Sequence, residues 1–107
     1  MGIDYYVIAK KHKKVSMMIG CNFNLEEPLK LTKETVTVDL VKGLFDKFTW
    51  KDKVDYTSIV NYILGWMDNH PNDDYLLVDE YYIYNLIREE NMCDKQGYCA
   101  GVMDLID

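Results

Sequence analysis

Between Asp55 and Pro71, apolar side chains recur at the spacing that places them on one face of a helix. Asp55 is a favourable N-cap, because its carboxylate can accept hydrogen bonds from N–H groups of the first turn. Pro71 ends the helix, because proline has no N–H to continue it. The residues that share the face are Tyr56, Ile59, Val60, Ile63, Leu64 and Met67. Such a helix has to bury this face, so the rest of the chain must supply a core.

Two segments near the N-terminus have the composition of strands. Residues 3–9 are rich in aromatic and β-branched types, which favour extended backbone. Residues 15–21 resume this character after a charged stretch at 10–14 that holds four lysines. The side chains of the second segment that share one face, at a period of two, are Val15, Met17, Ile19 and Cys21. The pattern predicts an N-terminal β-hairpin with the lysines at its exposed tip.

The middle of the chain is less regular. Residues 22–34, which include two asparagines and a proline, are predicted to form a loop. The apolar residues that recur every four positions are Val36, Leu40, Leu44 and Phe48. They predict a helix over residues 38–48. Thr35 to Val38 also alternate as a strand would, so residues 33–38 can be strand or helix.

The C-terminal part contains further elements. Residues 72–74 are predicted to form a turn, and residues 75–78 a short buried strand that pairs with the hairpin. Asp79 can cap a second helix that runs to Glu90. Residues 98–106 are apolar enough to dock on the core, as a final strand. This order predicts a single α+β domain over residues 1–107, with a small, mainly antiparallel sheet packed against two to three helices.

Composition excludes several classes of protein. Of the 107 residues, 49% are hydrophobic, which is too many for an intrinsically disordered chain. No run of about 18 apolar residues could span a membrane. The opening residues lack the layout of a signal peptide, so a cytoplasmic location is expected.

Charge is distributed unevenly along the chain. The formal net charge is -6, yet residues 1–50 hold eight lysines against six acids. Residues 51–107 hold four basic groups against twelve acids. This asymmetry predicts a dipolar surface that could steer a partner with a basic surface. Direct binding to nucleic acid is disfavoured, because the chain has one arginine and no cluster of basic residues beyond the lysine tip.

No catalytic, cofactor or metal motif is present in the sequence. The three cysteines, at positions 21, 93 and 99, lack the spacing of a metal knuckle. The six glycines are too scattered for a phosphate-binding loop. His70, near a helix C-terminus, is better placed for a dipole contact than as a base. The sequence therefore predicts a protein without metal or cofactor, and not an enzyme.

Tyrosine is frequent in this chain, with nine residues in all, and three of them cluster in the acidic half. Tyr81, Tyr82 and Tyr84 lie so close together that no helix or strand could bury all three on one face. At least one should be exposed, and exposed tyrosine flanked by acids is typical of protein-binding surfaces. The alternative is that the rings cover the edge of the core with their hydroxyls in water. The candidate partner-binding residues are Asp73, Asp74, Tyr75, Asp79, Glu80, Tyr81, Tyr82, Tyr84, Glu89 and Glu90.

The first eight residues, Met1-Gly2-Ile3-Asp4-Tyr5-Tyr6-Val7-Ile8, resemble the start of several small, mostly uncharacterised proteins of phages and bacteria. By analogy with anti-CRISPR proteins and DNA mimics, this resemblance implies an inhibitor that binds a host defence protein stoichiometrically. Two alternatives remain open. One is an immunity protein that neutralises a bacterial toxin, and the other is a small-ligand-binding protein or small enzyme.

Overall fold

The structure is a computed structural model that describes residues 2–45 and 53–90, with side chains as far as Arg88. The strands are β1 (Asp4–Ala9), β2 (Lys14–Val15), β3 (Gly20–Cys21), β4 (Leu29–Leu31) and β5 (Tyr75–Asp79). The helices are α1 (Val38–Leu44), α2 (Tyr56–Asp68) and α3 (Glu80–Glu90). The predicted α+β class and antiparallel sheet are confirmed. The predicted strand at 98–106 and the helix end at 46–48 lie outside the described residues.

Strand β1 is the centre of the sheet. It pairs antiparallel with β5 on one side and with β2 and β3 on the other, while β4 pairs with the outer side of β5. Successive side chains of β1 enter two different cores. Tyr5, Val7 and Ala9 pack with α1 and α2, whereas Tyr6 and Ile8 pack with α3. Because both faces of β1 are covered, its sequence is a continuous apolar run rather than an alternating one.

The second strand of the hairpin is interrupted, which corrects the prediction of a regular strand over residues 15–21. Two residues of β1 separate the paired positions Ile8 and Tyr5, but four residues separate their partners Val15 and Gly20. The extra residues break the period of two. Val15 packs in the α3 core and Ile19 in the opposite core. Met17, predicted to share one face with Val15 and Ile19, is 63% exposed.

Ser16 replaces the missing strand pairing at this interruption. Its side chain is buried, and its Oγ accepts a hydrogen bond from the Val7 N–H at 2.9 Å. The same hydroxyl donates to the Met17 carbonyl at 2.7 Å. A backbone group of the central strand is thus satisfied by a side chain instead of by a neighbouring strand.

Replacing Ser16 with alanine is expected to lower the free energy of unfolding by about 1–3 kcal/mol, because the buried Val7 N–H would lose its acceptor. Urea denaturation of the variant and of wild type measures the difference. Thr57→Ala, at an exposed position of α2, is the control and should change stability by less than about 0.5 kcal/mol. Equal stability of Ser16→Ala and wild type would show that water or backbone movement satisfies Val7.

The segment between the hairpin and α1 was predicted as a loop, and this is wrong for residues 29–31. These residues form β4, whose register on β5 places Leu29 opposite Leu77 and Leu31 opposite Tyr75. Leu31 is buried in the core with α1 and α2. A three-residue strand contains too little of a period-two pattern to be recognised, and pairing with β5 decides its conformation.

Side chains define where the helices begin. Residues 33–35, which could have been strand or helix, form a turn in which the Thr35 hydroxyl accepts from the Thr32 N–H at 2.9 Å. Thr37 then caps α1 by accepting from the Leu40 N–H. The predicted helix after Asp55 is confirmed, since Asp55 accepts from the Ser58 N–H at 3.0 Å. None of the helices in the described part of the chain is long and apolar enough to cross a membrane.

Candidate functional site

The turn at residues 72–74 holds the lysine tip of the hairpin. Asp73 accepts hydrogen bonds from the N–H groups of Lys11 and His12 at 2.6 and 2.7 Å. The His12 ring also donates to it through Nδ1 at 2.7 Å. The tip needs this support, because Lys13 has a positive φ of 57° that a lysine rarely adopts. Asp73 therefore acts as a structural clamp.

The clamp places segments of opposite charge next to each other. The Lys10 N–H donates to the Asp74 carbonyl at 3.1 Å, so the basic tip lies directly against the acidic turn. The lysine tip and the two acids of the turn therefore adjoin in space, although they are about 60 residues apart in sequence.

The carboxylates at the junction of β5 and α3 are also engaged. Asp79 caps α3 by accepting from the Tyr82 N–H at 2.8 Å, as predicted. Glu80 accepts from the Asp4 N–H of β1 and from the Tyr84 hydroxyl, both at 3.1 Å. The bond from Asp4 joins the start of α3 to the central strand, and the bond from Tyr84 lies within α3.

The clustered tyrosines divide as expected, with one of them exposed. Tyr81 is 55% exposed and meets the Tyr84 ring edge-on, at 6.3 Å between ring centroids. Tyr82 and Tyr84 are half-buried against the α3 core. Tyr75 differs, because it is buried in the other core and its hydroxyl donates to carbonyls at the end of α2. Of the predicted tyrosines, Tyr81 thus offers the largest exposed fraction to a partner.

Two tyrosines near Glu80 have raised pKa values. Burial, together with the nearby charges of Asp4 and Glu80, raises the pKa of Tyr6 to about 12. Burial also raises the pKa of Tyr84, helped by its hydrogen bond to Glu80. Both hydroxyls therefore stay protonated at neutral pH, and that of Tyr84 donates to Glu80.

A cavity of about 250 Å³ lies beside the start of α3. One side is formed by Leu25 to Pro28, the segment that leads into β4, and includes the exposed Glu26 and Glu27. The other side is formed by the β5–α3 junction, with Asp79, Tyr81 and Tyr82. The two glutamates were not among the predicted site residues, because residues 22–34 were predicted only as a loop. An acidic pair directly before Pro28 was the available signal.

Each of the two histidines has a hydrogen-bond partner. The rings of His12 and His70 lie 5.6 Å apart, but His12 faces Asp73, and His70 Nδ1 donates to the Trp66 carbonyl at 2.8 Å. The latter bond is the predicted contact with a helix C-terminus. Within residues 2–45 and 53–90, no three His, Cys, Asp or Glu side chains are placed to hold a metal ion. Cys93, Cys99 and the side chains of Glu89 and Glu90 lie outside the described part.

The candidate site in this structure centres on the cavity beside the start of α3. It comprises the exposed Tyr81, the half-buried Tyr82 and Asp79, and the glutamate pair across the cavity. Of the other predicted residues, Asp73 holds the lysine tip and Tyr75 is buried in the core. Comparisons with protein-family models, curated proteins and solved structures found no match for this chain.

Proposed function

We propose that this protein is a non-enzymatic inhibitor that binds a host defence protein stoichiometrically through the surface around Tyr81. The observation that carries the proposal is the position of Tyr81, which is 55% exposed on the rim of a cavity edged by carboxylates. A large aromatic ring at the centre of an interface excludes water at low entropic cost, so such residues often dominate binding energy.

The charges around Tyr81 indicate the kind of partner. Glu26 and Glu27 are exposed on one side of the cavity and Asp79 is half-buried on the other. Carboxylates arranged around an aromatic anchor favour a partner with a basic surface, because complementary potentials steer the encounter. The proposed contact surface is therefore the cavity rim and the first turn of α3.

Capture from a bacterial lysate, followed by mass spectrometry, tests this proposal. The immobilised protein should retain one protein at near-equal molar amounts, and Tyr81→Ala should reduce its recovery. The control is the double variant Lys11→Gln with Lys14→Gln, which removes two positive charges from the lysine tip. Normal recovery with Tyr81→Ala, together with loss of recovery for the tip variant, would place the contact at the hairpin. A captured toxin in place of a defence protein would make the protein an immunity protein.

Binding kinetics against the captured partner separate the roles of charge and ring. Glu26→Gln combined with Glu27→Gln is expected to slow association and to weaken its dependence on salt, because rim charges act on the encounter. Tyr81→Ala is expected to speed dissociation, with a loss of about 1–3 kcal/mol in affinity. Surface plasmon resonance at two salt concentrations measures both effects. Unchanged rates for both variants would contradict the proposed surface.

A further inference from the structure

The cavity beside α3 has the size of a site for one side chain. Its volume of about 250 Å³ is below the range of about 300–1,000 Å³ that holds drug-sized ligands. It is open at the surface between the Glu26–Glu27 segment and the first turn of α3. A long side chain of a bound partner could therefore enter it.

The charge of the lining selects for a cation. Among the lining residues that the structure describes, Glu26, Glu27 and Asp79 are acidic and none is basic. The Asp79 carboxylate already accepts the Tyr82 N–H, so it also offsets the positive end of the α3 dipole. The two glutamates are exposed at the cavity and add negative charge that no lining residue balances.

The tyrosines that line the cavity favour a guanidinium group over an ammonium group. Tyr81 and Tyr82 line the cavity at the first turn of α3. Tyr5 also borders it, but Tyr5 is 5% exposed and its ring stacks on Phe23, so Tyr81 and Tyr82 are the rings that a ligand can reach. A planar guanidinium can stack on a tyrosine ring and still form two parallel hydrogen bonds to a carboxylate. An ammonium group is more strongly hydrated and lacks this flat face.

We infer that this cavity binds an alkylguanidinium group, the head of an arginine side chain presented by the partner. The inference rests on the proposed function for its source of arginine, but the site itself depends only on the cavity and its lining. In the complex, the guanidinium stacks against Tyr81 or Tyr82, and the glutamates at the mouth accept hydrogen bonds from its N–H groups. The site thus recognises one arginine on the basic surface of the partner.

Titration of the isotope-labelled protein with a small probe tests the inference without the partner. The probe is N-acetyl-argininamide, and the matched neutral probe is N-acetyl-citrullinamide, which has nearly the same shape and no charge. The arginine probe is expected to shift the NMR amide signals of Tyr81, Tyr82 and Asn85 and to bind at least about tenfold more tightly than the citrulline probe, since charge-assisted hydrogen bonds are about twice as strong as neutral ones. N-acetyl-lysinamide is expected to bind more weakly than the arginine probe.

Variants connect the binding to the cavity. Glu26→Gln combined with Glu27→Gln should weaken the arginine probe by about tenfold or more. Glu34→Gln combined with Asp39→Asn removes the same charge from exposed positions that do not line the cavity, and this pair should leave the affinity unchanged. Equal affinity for the arginine and citrulline probes, or for the arginine and lysine probes, would overturn the inference. So would equal losses in the two double variants.

The experiments distinguish failure of the guanidinium site from failure of the proposed function. Failure of the arginine probe, with a partner still captured through Tyr81, would overturn the guanidinium site alone. Selective binding of the arginine probe without any captured partner would support the site and contradict the proposed inhibitor.

Discussion

Replacing Ile63 with alanine is expected to lower the free energy of unfolding by about 2–5 kcal/mol, since the change removes buried methylene groups and leaves a cavity. Ile63 is 4% exposed on the inner face of α2 and belongs to the core that this helix shares with β1 and α1. Closely packed interiors relax only in part around such a gap, so the lost contacts are not recovered.

Chemical denaturation of wild type and variant measures this loss. Ile59→Ala is the matched control, because it is the same substitution on the same helix at a half-exposed position. Its effect should be clearly smaller than that of Ile63→Ala. If the two variants lose equal stability, or if Ile63→Ala loses less than about 0.5 kcal/mol, the assigned inner face of α2 is wrong.

Replacing Asp73 with asparagine is expected to destabilise the protein at pH 7 by about 1–3 kcal/mol, because an amide has one acceptor oxygen where the carboxylate uses two. The Oδ1 atom of Asp73 accepts from the Lys11 N–H, and its Oδ2 atom accepts from the N–H and the ring of His12. The amide NH₂ group would oppose one set of these donors. Release of the lysine tip should follow.

The effect of Asp73→Asn should depend on pH. Burial raises the pKa of Asp73, but hydrogen bonds from Lys11, from His12 and from the Asp74 N–H outweigh it, so the pKa lies below its ordinary value. A carboxyl group with a lowered folded-state pKa stabilises the fold above its unfolded pKa of about 4 and loses this contribution as pH falls through the folded value. The difference between wild type and Asp73→Asn should therefore be full at pH 7 and shrink below about pH 4.

Thermal unfolding monitored by circular dichroism, at pH 7 and at pH 3, measures this dependence. Asp74→Asn is the control, since Asp74 is the exposed neighbour in the same turn and its backbone carbonyl, rather than its carboxylate, accepts from Lys10. It should shift the melting temperature little at either pH. An equal deficit for Asp73→Asn at both pH values would show that the ionised carboxylate is not the source of the stability.

The proposed contact surface and the clamp were not distinguishable in sequence, because both contain acidic residues in short polar segments. Asp73 and Glu27 are both acidic residues next to a turn or a proline. Their roles differ because Asp73 lies under the lysine tip, whereas Glu27 lies at the rim of a cavity. Which carboxylate accepts a backbone N–H depends on contacts between residues far apart in the chain, and composition does not record such contacts.

Local patterns in the sequence determined the elements that are long or clearly capped. The cap at Asp55 and the periodic face up to Met67 predicted α2, and Asp79 predicted the start of α3. These signals are local, because a helix satisfies its hydrogen bonds within its own segment. The exposure of one tyrosine among the three in α3 also followed from helix geometry alone.

Tertiary structure alone decided the short strands and the site. Strand β4 exists because β5 pairs with it, and the interruption near Ser16 exists because β1 is covered on both faces and the chain crosses from one core to the other. The cavity beside Tyr81 forms only where the segment before β4 meets the first turn of α3, about 55 residues later in the chain. Pairing and cavity formation depend on long-range packing, which no local pattern specifies.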